Sequence, residues 1–160
     1  MAAVTIRPAG LADVARLNTA LRALSAGMGD SHRARDADLA QAGFGATPAF
    51  HALLAERGGE TLGVAVYSPL YSTTRGRAGA YVSDLWVAAE VRGKRLGQRL
   101  LCAVRDRARA QWGGGFLRLA VYADNPGAQV FYTRLGFGVM QGDIWMTLEG
   151  PALDAIGGPE

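Results

Sequence analysis

Apolar and polar residues alternate over Ala3–Pro8, a two-residue period that predicts a strand, and Pro8 and Gly10 stop it. The period then lengthens. Leu11, Val14, Leu17, Leu21 and Leu24 recur three and four residues apart, predicting an amphipathic helix over Leu11–Leu24. Ala26–Arg35 is polar, carries Gly27 and Gly29, and reads as a loop; a short second helix follows over Asp36–Ala42, with Asp36 as its cap. Phe50–Ala55 and Thr61–Ser68 return to strand character, joined by Arg57-Gly58-Gly59-Glu60, whose paired glycines signal a hairpin. Gly79–Ala88 is predicted as the fourth strand. Leu96, Leu100, Val104 and Ala108 mark one face of a long helix over Leu96–Gln111, ended by Gly113-Gly114-Gly115, and Phe116–Tyr122 reads as the fifth strand. Asn125-Pro126 opens another helix, Asn as cap and Pro in the first turn; it carries Phe131, Tyr132 and Leu135 and stops at Gly136. Phe137–Met140 and Ile144–Leu148 are predicted as the last two strands, and Pro151–Glu160 as a tail.

Composition narrows what this pattern can build. The chain has 160 residues, 49% of them hydrophobic, enough for one well-cored domain, expected over 1–150 with a tail at 151–160. A single Cys102 excludes an internal disulfide framework and gives no zinc cluster, so no metal is expected. No run approaches ~18 apolar residues, and Met1–Arg7 lacks the basic start and apolar core of a signal peptide. The expectation is a soluble chain in the reducing cytoplasm, away from membranes. The net charge of +3 changes little, because the cations gather at Arg92–Arg99 and Arg105–Arg109, where one anionic cofactor suffices. Aromatic residues interleaved with basic ones on adjacent strands are missing, so nucleic acid is not an expected partner.

The stretch from Asp84 to Leu101 carries the most chemistry. An apolar strand runs into a basic, glycine-bearing turn, Val91-Arg92-Gly93-Lys94-Arg95-Leu96-Gly97-Gln98, and a helix follows at once. Backbone N–H groups and a helix N-terminus then point at one spot, an anion site to which Arg92, Lys94 and Arg95 add charge. The spacing of Gly93 and Gly97 fits neither a P-loop nor a dinucleotide fingerprint.

The order strand, R-x-x-[G]-x-G, helix resembles the acetyl-CoA pyrophosphate loop of the Gcn5-related N-acetyltransferase (GNAT) superfamily. Asn125-Pro126-Gly127-Ala128-Gln129-Val130-Phe131-Tyr132-Thr133-Arg134-Leu135-Gly136-Phe137 is similar to that family's N-x-x-A-x-x-[FL]-Y-x-x-x-G-F segment, at the expected separation. A narrower likeness, to the spermidine/spermine (diamine) and thialysine acetyltransferases, runs through Asp38-Leu39, Gly43-Phe44-Gly45, Pro48–Glu56, Tyr67–Arg77 and Tyr81–Val87. The resemblance implies an α+β, three-layer fold: a mixed, mostly antiparallel sheet of six to seven strands flanked by about four helices. It implies acetyl-CoA as cosubstrate, a small-molecule primary amine as acceptor, direct attack in a ternary complex, and a homodimer. A non-catalytic acetyl-CoA sensor and a protein or peptide amine acetyltransferase are the alternatives.

Residue by residue, the resemblance assigns the diphosphate to the backbone of Arg92, Gly93, Lys94, Arg95, Leu96, Gly97 and Gln98. The family has Gly where Arg95 stands; a side chain there is tolerated if φ stays negative, its guanidinium then joining the phosphate or ribose face. Leu85, Trp86 and Val87 would lie beside the thioester, a backbone N–H near Trp86 serving as oxyanion donor. Asn125, Gly127 and Ala128 would sit at the pantetheine arm, and Tyr132 would protonate the leaving thiolate. Diamine acetyltransferases carry Glu-Asp in the fourth strand where this chain has Ser83-Asp84; Ser83 is left as a substrate contact and Asp84 as the surviving acid. Strand alternation sends these two to opposite faces of the sheet. Between the first two helices, Asp30 stands against Arg33 and Arg35, a loop that fits an amino compound bearing a carboxylate better than a polyamine. His32, His51 and Cys102 receive no catalytic role.

Overall fold

Gly58 and Gly59 both take left-handed backbone, φ +58° and +84°, the two-residue turn that matches the twist of paired strands. It closes β2 (His51–Arg57) against β3 (Glu60–Ser72). This is a computed structural model, and it describes residues 3–157 in two units, one running to Tyr122 and the other beginning at Ala123.

In the first unit β1 (Thr5–Pro8) pairs antiparallel with β2, β3 with β4 (Arg77–Val87), and β4 runs parallel to β5 (Leu117–Arg118), giving the order β1-β2-β3-β4-β5. On one face lie α1 (Val14–Met28), entered through a 3-10 turn at Leu11–Asp13, and α2 (Asp36–Phe44). Val14, Leu17, Leu21 and Leu39 there close over Leu54, Val64 and Val66 of the sheet. On the other face lies α3 (Leu96–Trp112), whose Leu96, Leu100, Val104 and Ala108 are buried. Gly63 of β3 makes room for it: a Cβ there would stand 3.0 Å from Leu100 Cδ1 and 3.1 Å from the Trp86 carbonyl. Three layers result, as the periodicities require.

Several boundaries move. α1 runs on to Met28, because helical hydrogen bonding propagates until a left-handed residue ends it, here Gly29 at φ +76°. The loop is therefore residues 29–35. Arg35, not Asp36, stands at the N-cap of α2, its backbone N–H held by Asp38 Oδ2 at 2.9 Å. The larger correction concerns the sheet, which has five strands among the described residues where six to seven were expected. Only Leu117–Arg118 of Phe116–Tyr122 is ladder, and neither Phe137–Met140 nor Ile144–Leu148 is a strand. Alternation marks which side of a segment wants covering; a strand also needs a neighbour's ladder, and none is present for these residues.

The second unit contains α4 (Pro126–Arg134) and α5 (Pro151–Asp154). Asn125 caps α4 as expected, its Oδ1 accepting from the Ala128 N–H at 3.1 Å. Gly136, at φ +96°, turns the chain so that the Phe137 N–H reaches the Tyr132 carbonyl at 3.1 Å. Of the tail expected over 151–160, residues 158–160 lie outside the described residues, as do residues 1–2 of the segment read against a signal peptide.

Candidate active site

The ladder between β4 and β5 is short. Ala80 faces Leu117, Tyr81 faces Arg118, and pairing stops. On the other side of β4, Val66 faces Asp84 while its neighbour Tyr67 faces Val82, so Ser83 is an extra residue with no partner. This is a β-bulge, which bends a strand and sharpens its twist. It falls two residues beyond the last β5 pair, where β4 leaves β5 and carries Leu85, Trp86 and Val87 onward with no strand paired on that edge among the described residues. The Trp86 side chain packs against the α1/α2 core, so side chain and open main chain serve different ends. The bulge also overturns the expected separation of Ser83 and Asp84. It suspends alternation locally, and the exposed Ser83 hydroxyl donates to Asp84 Oδ2 at 2.7 Å.

Beyond β4 the chain makes a 3-10 turn at Ala89–Val91 and is drawn back by Arg92, whose Nε donates to the Val87 carbonyl at 3.1 Å. Gly93 is left-handed, φ +75°, with open space beside it. So is Arg95, at φ +61° the one non-glycine described residue with positive φ. The negative φ expected there is wrong: the turn into α3 demands the left-handed region whichever residue stands at 95. α3 has no side-chain cap, and its first backbone bond runs from the Arg99 N–H to the Arg95 carbonyl at 3.0 Å. The N–H groups of Leu96, Gly97 and Gln98 precede that bond and gain no partner from within the helix. Uncapped donors, the helix dipole, three cations and an unobstructed glycine together fit a diphosphate. Arg105, Arg107 and Arg109 belong elsewhere, roughly 15–20 Å along α3 at 1.5 Å per residue.

The loop at 29–35 is pinned at two points. Buried Asn18 of α1 donates to the Ala34 carbonyl (3.2 Å) and to Asp36 Oδ1 (2.6 Å), and its Oδ1 lies 2.7 Å from His32 Nε2. The other His32 nitrogen lies 3.2 Å from Ser25 Oγ. Near the loop's start, Asp30 Oδ2 accepts from the Tyr122 hydroxyl at 2.8 Å. Within the loop the two arginines differ. Arg35 grips Asp38 through Nε and a terminal nitrogen at 2.9 and 2.7 Å, holding that carboxyl down to about 2, while Arg33 is exposed and has no carboxylate partner among the described residues. Asn18 and Tyr122 were not singled out by pattern, nor was the partner of Asp30; a contact spanning 92 residues leaves no local signal.

In the second unit Tyr132 stands between Phe131 and Phe137, edge to face, with ring centroids 5.0 and 5.5 Å away. Burial raises its phenol above the ordinary tyrosine value, so it holds its proton at neutral pH. Gly127 and Ala128 form the first turn of α4, where the Asn125 amide oxygen is spent on the cap. His51, in a three-ring cluster with Tyr67 and Trp112, is pushed toward the neutral form by burial and by Arg107. Cys102 is half-buried in α3. Among the described residues no group of three His, Cys, Asp or Glu side chains could hold a metal, and no helix is long and apolar enough to cross a membrane.

Comparison with known proteins agrees with this geometry. The model of the acetyltransferase (GNAT) family matches residues 18–137. The thialysine N-epsilon-acetyltransferase of Bos taurus is 33% identical over 146 residues, 85% of each chain. Among solved structures, an integron cassette protein from the mobile metagenome of V. cholerae superposes with a TM-score of 0.78 at 21% identity, covering 98% of both chains. The aminoglycoside N-acetyltransferase AAC(6')-Iy, solved in complex with CoA, does so at 0.75 and 16%, over 94% of this chain and 97% of that one. A family model over residues 18–137 and a relative 33% identical over 85% of each chain lead to one conclusion: the chain belongs to the GNAT family and is an acetyl-CoA-dependent N-acetyltransferase.

Proposed function

We propose that the enzyme transfers the acetyl group of acetyl-CoA to the primary amine of a small molecule bearing a carboxylate, by direct attack within a ternary complex, in the cytoplasm and as a homodimer. The observation that carries the reading is the uncapped, left-handed entry into α3 at the end of the opened strand β4. Residues 92–98 hold the diphosphate through backbone N–H groups. The free edge of β4 at Leu85–Val87 takes the pantetheine arm, and a backbone N–H near Trp86 faces the oxyanion. Asn125, Gly127 and Ala128 flank the arm from α4. Tyr132, kept protonated by burial, gives its proton to the thiolate as the tetrahedral intermediate collapses.

On the acceptor side Arg35 is neutralised by Asp38, which leaves Arg33 as the loop's cation for an acceptor carboxylate. The bovine relative is named for thialysine, an amino acid, and that agrees with such an acceptor. Ser83 and Asp84, at the bulge, are placed on the amine side.

The test is a thiol-release assay with acetyl-CoA over spermidine, putrescine, thialysine, lysine and simple aromatic amines, comparing wild type with Tyr132→Phe. Turnover strongest on the carboxylate-bearing amines, falling at least about tenfold in Tyr132→Phe, is the expected result. Unchanged turnover removes Tyr132 from the chemistry. Tight CoA binding with no turnover on any amine replaces the enzyme by a sensor.

A further inference from the structure

We infer that Ser83 and Asp84 form one proton-accepting pair toward the attacking amine, assembled by the β4 bulge; the inference rests on the acetyl-transfer reading above. Position comes first. Ser83 is the residue that the β3 ladder skips, it is exposed, and it lies two residues past the last β4–β5 pair, on the strand that continues into Leu85–Val87. Its single hydroxyl proton is directed to Asp84 Oδ2 at 2.7 Å; the alternative acceptor, the Val66 carbonyl, is at 3.4 Å. With that proton committed, the remaining lone pairs of Oγ are acceptors, and an amine N–H is the complementary donor.

The other carboxylates of residues 3–122 are engaged elsewhere or stand off the strand. Asp13 and Glu56 bind Arg7 and Arg16, Asp38 binds Arg35, Glu60 pairs with Arg57 and Asp106 with Arg105. Asp36 is held by Asn18 and Asp30 by Tyr122, while Glu90 lies in the 3-10 turn before the diphosphate loop. Asp84 is thus the carboxylate that reaches the opened edge of β4, and it does so through Ser83.

The step balances. The amine nitrogen uses its lone pair to form the N–C bond to the thioester carbonyl, whose π pair moves to oxygen. The nitrogen, now cationic and acidic, gives a proton to Ser83 Oγ as the serine proton passes to Asp84 Oδ2. Collapse of the oxyanion expels the thiolate, which is protonated separately, and Asp84 returns its proton to solvent.

The experiment is steady-state kinetics across pH on the best amine for wild type, Ser83→Ala, Asp84→Asn and the double variant, with CoA affinity and circular dichroism as folding controls. Loss of a positioned base is worth about a hundredfold or more, so Asp84→Asn should lower kcat by about that factor and Ser83→Ala by at least tenfold. The double variant should be no slower than Asp84→Asn alone, because the two residues act as a unit. The pH profile of kcat/KM should differ from wild type in both single variants, CoA affinity should be unchanged, and Ser83→Thr should restore the rate. Ser83→Ala within twofold of wild type with the same pH profile, or additive single effects, overturns the pair while leaving acetyl transfer standing. A wild type that turns over no amine overturns acetyl transfer itself.

Discussion

Arg95 shows how much a single backbone angle decides. A non-glycine residue in the left-handed region costs roughly 1–2 kcal/mol, and this chain accepts that cost at the entry to α3, φ +61°. The sequence made the loop legible through its charges and glycines. It did not disclose the sign of φ at 95, because a side chain at that position argues for the opposite sign. Arg95→Gly should therefore raise the unfolding free energy by no more than about 1 kcal/mol, strain relief being partly offset by the freer unfolded chain. Gly93→Ala, at φ +75°, should instead lose about 1 kcal/mol. Chemical denaturation of both variants checks the pair of signs. A fall in Arg95→Gly would mean that the arginine side chain contributes contacts exceeding its strain.

Among elements, those with a strong internal period were legible: the β2–β3 hairpin, α3 and the capped start of α4 all stand where spacing put them. What escaped is what one element imposes on another. The bulge at Ser83 arises from a mismatch between β3 and β4, and no property of β4 alone announces it. The charged joint of β1, the 3-10 turn, α1 and β2 is of the same kind. Arg7 grips Asp13 at 2.7 and 2.8 Å and Glu56 at 2.8 Å, and Arg16 reaches Glu56 at 2.7 Å, across up to 49 residues. The Arg7 hydrogen bonds hold the Asp13 carboxyl down to about 2. A carboxyl depressed on folding stabilises the native state fully above its unfolded pKa of about 4, and that contribution is lost as pH falls through the folded value. Thermal melts should thus be insensitive to this joint above about pH 4 and should drop from there toward pH 2. Asp13→Asn should lower the plateau and flatten this part of the decline. Equal slopes in the two proteins would show that Asp13 carries no linkage.

At the scale of the molecule the residues to which the proposal gives roles are distributed: residues 92–98, the bulge and the pinned loop belong to residues 3–122, while Tyr132 belongs to the second unit. Unlike either set, the segment following α4 has no visible purpose in a single copy. Val139, Ile144 and Met146 are 82%, 86% and 90% exposed, and the residues around them alternate as strands do without forming one. A run of large apolar side chains left in water marks an interface, and backbone with strand character but no ladder asks for one from outside. The homodimer proposed above supplies both at once, since a second copy brings the same exposed Val139, Ile144 and Met146 on the same alternating segment. Sedimentation equilibrium should therefore give about twice the 16.8 kDa chain mass, and a charge at Ile144 or Met146 (Ile144→Glu, Met146→Glu) should return it toward the monomer. Hydrogen exchange adds the backbone's own testimony: amides of residues 137–148 should be protected in the dimer and exposed in the glutamate variants, whereas β2 and β3 should be equally protected in both. A wild-type monomer at concentrations where the enzyme is active would leave this apolar segment without a second copy to cover it, and the dimer would be withdrawn.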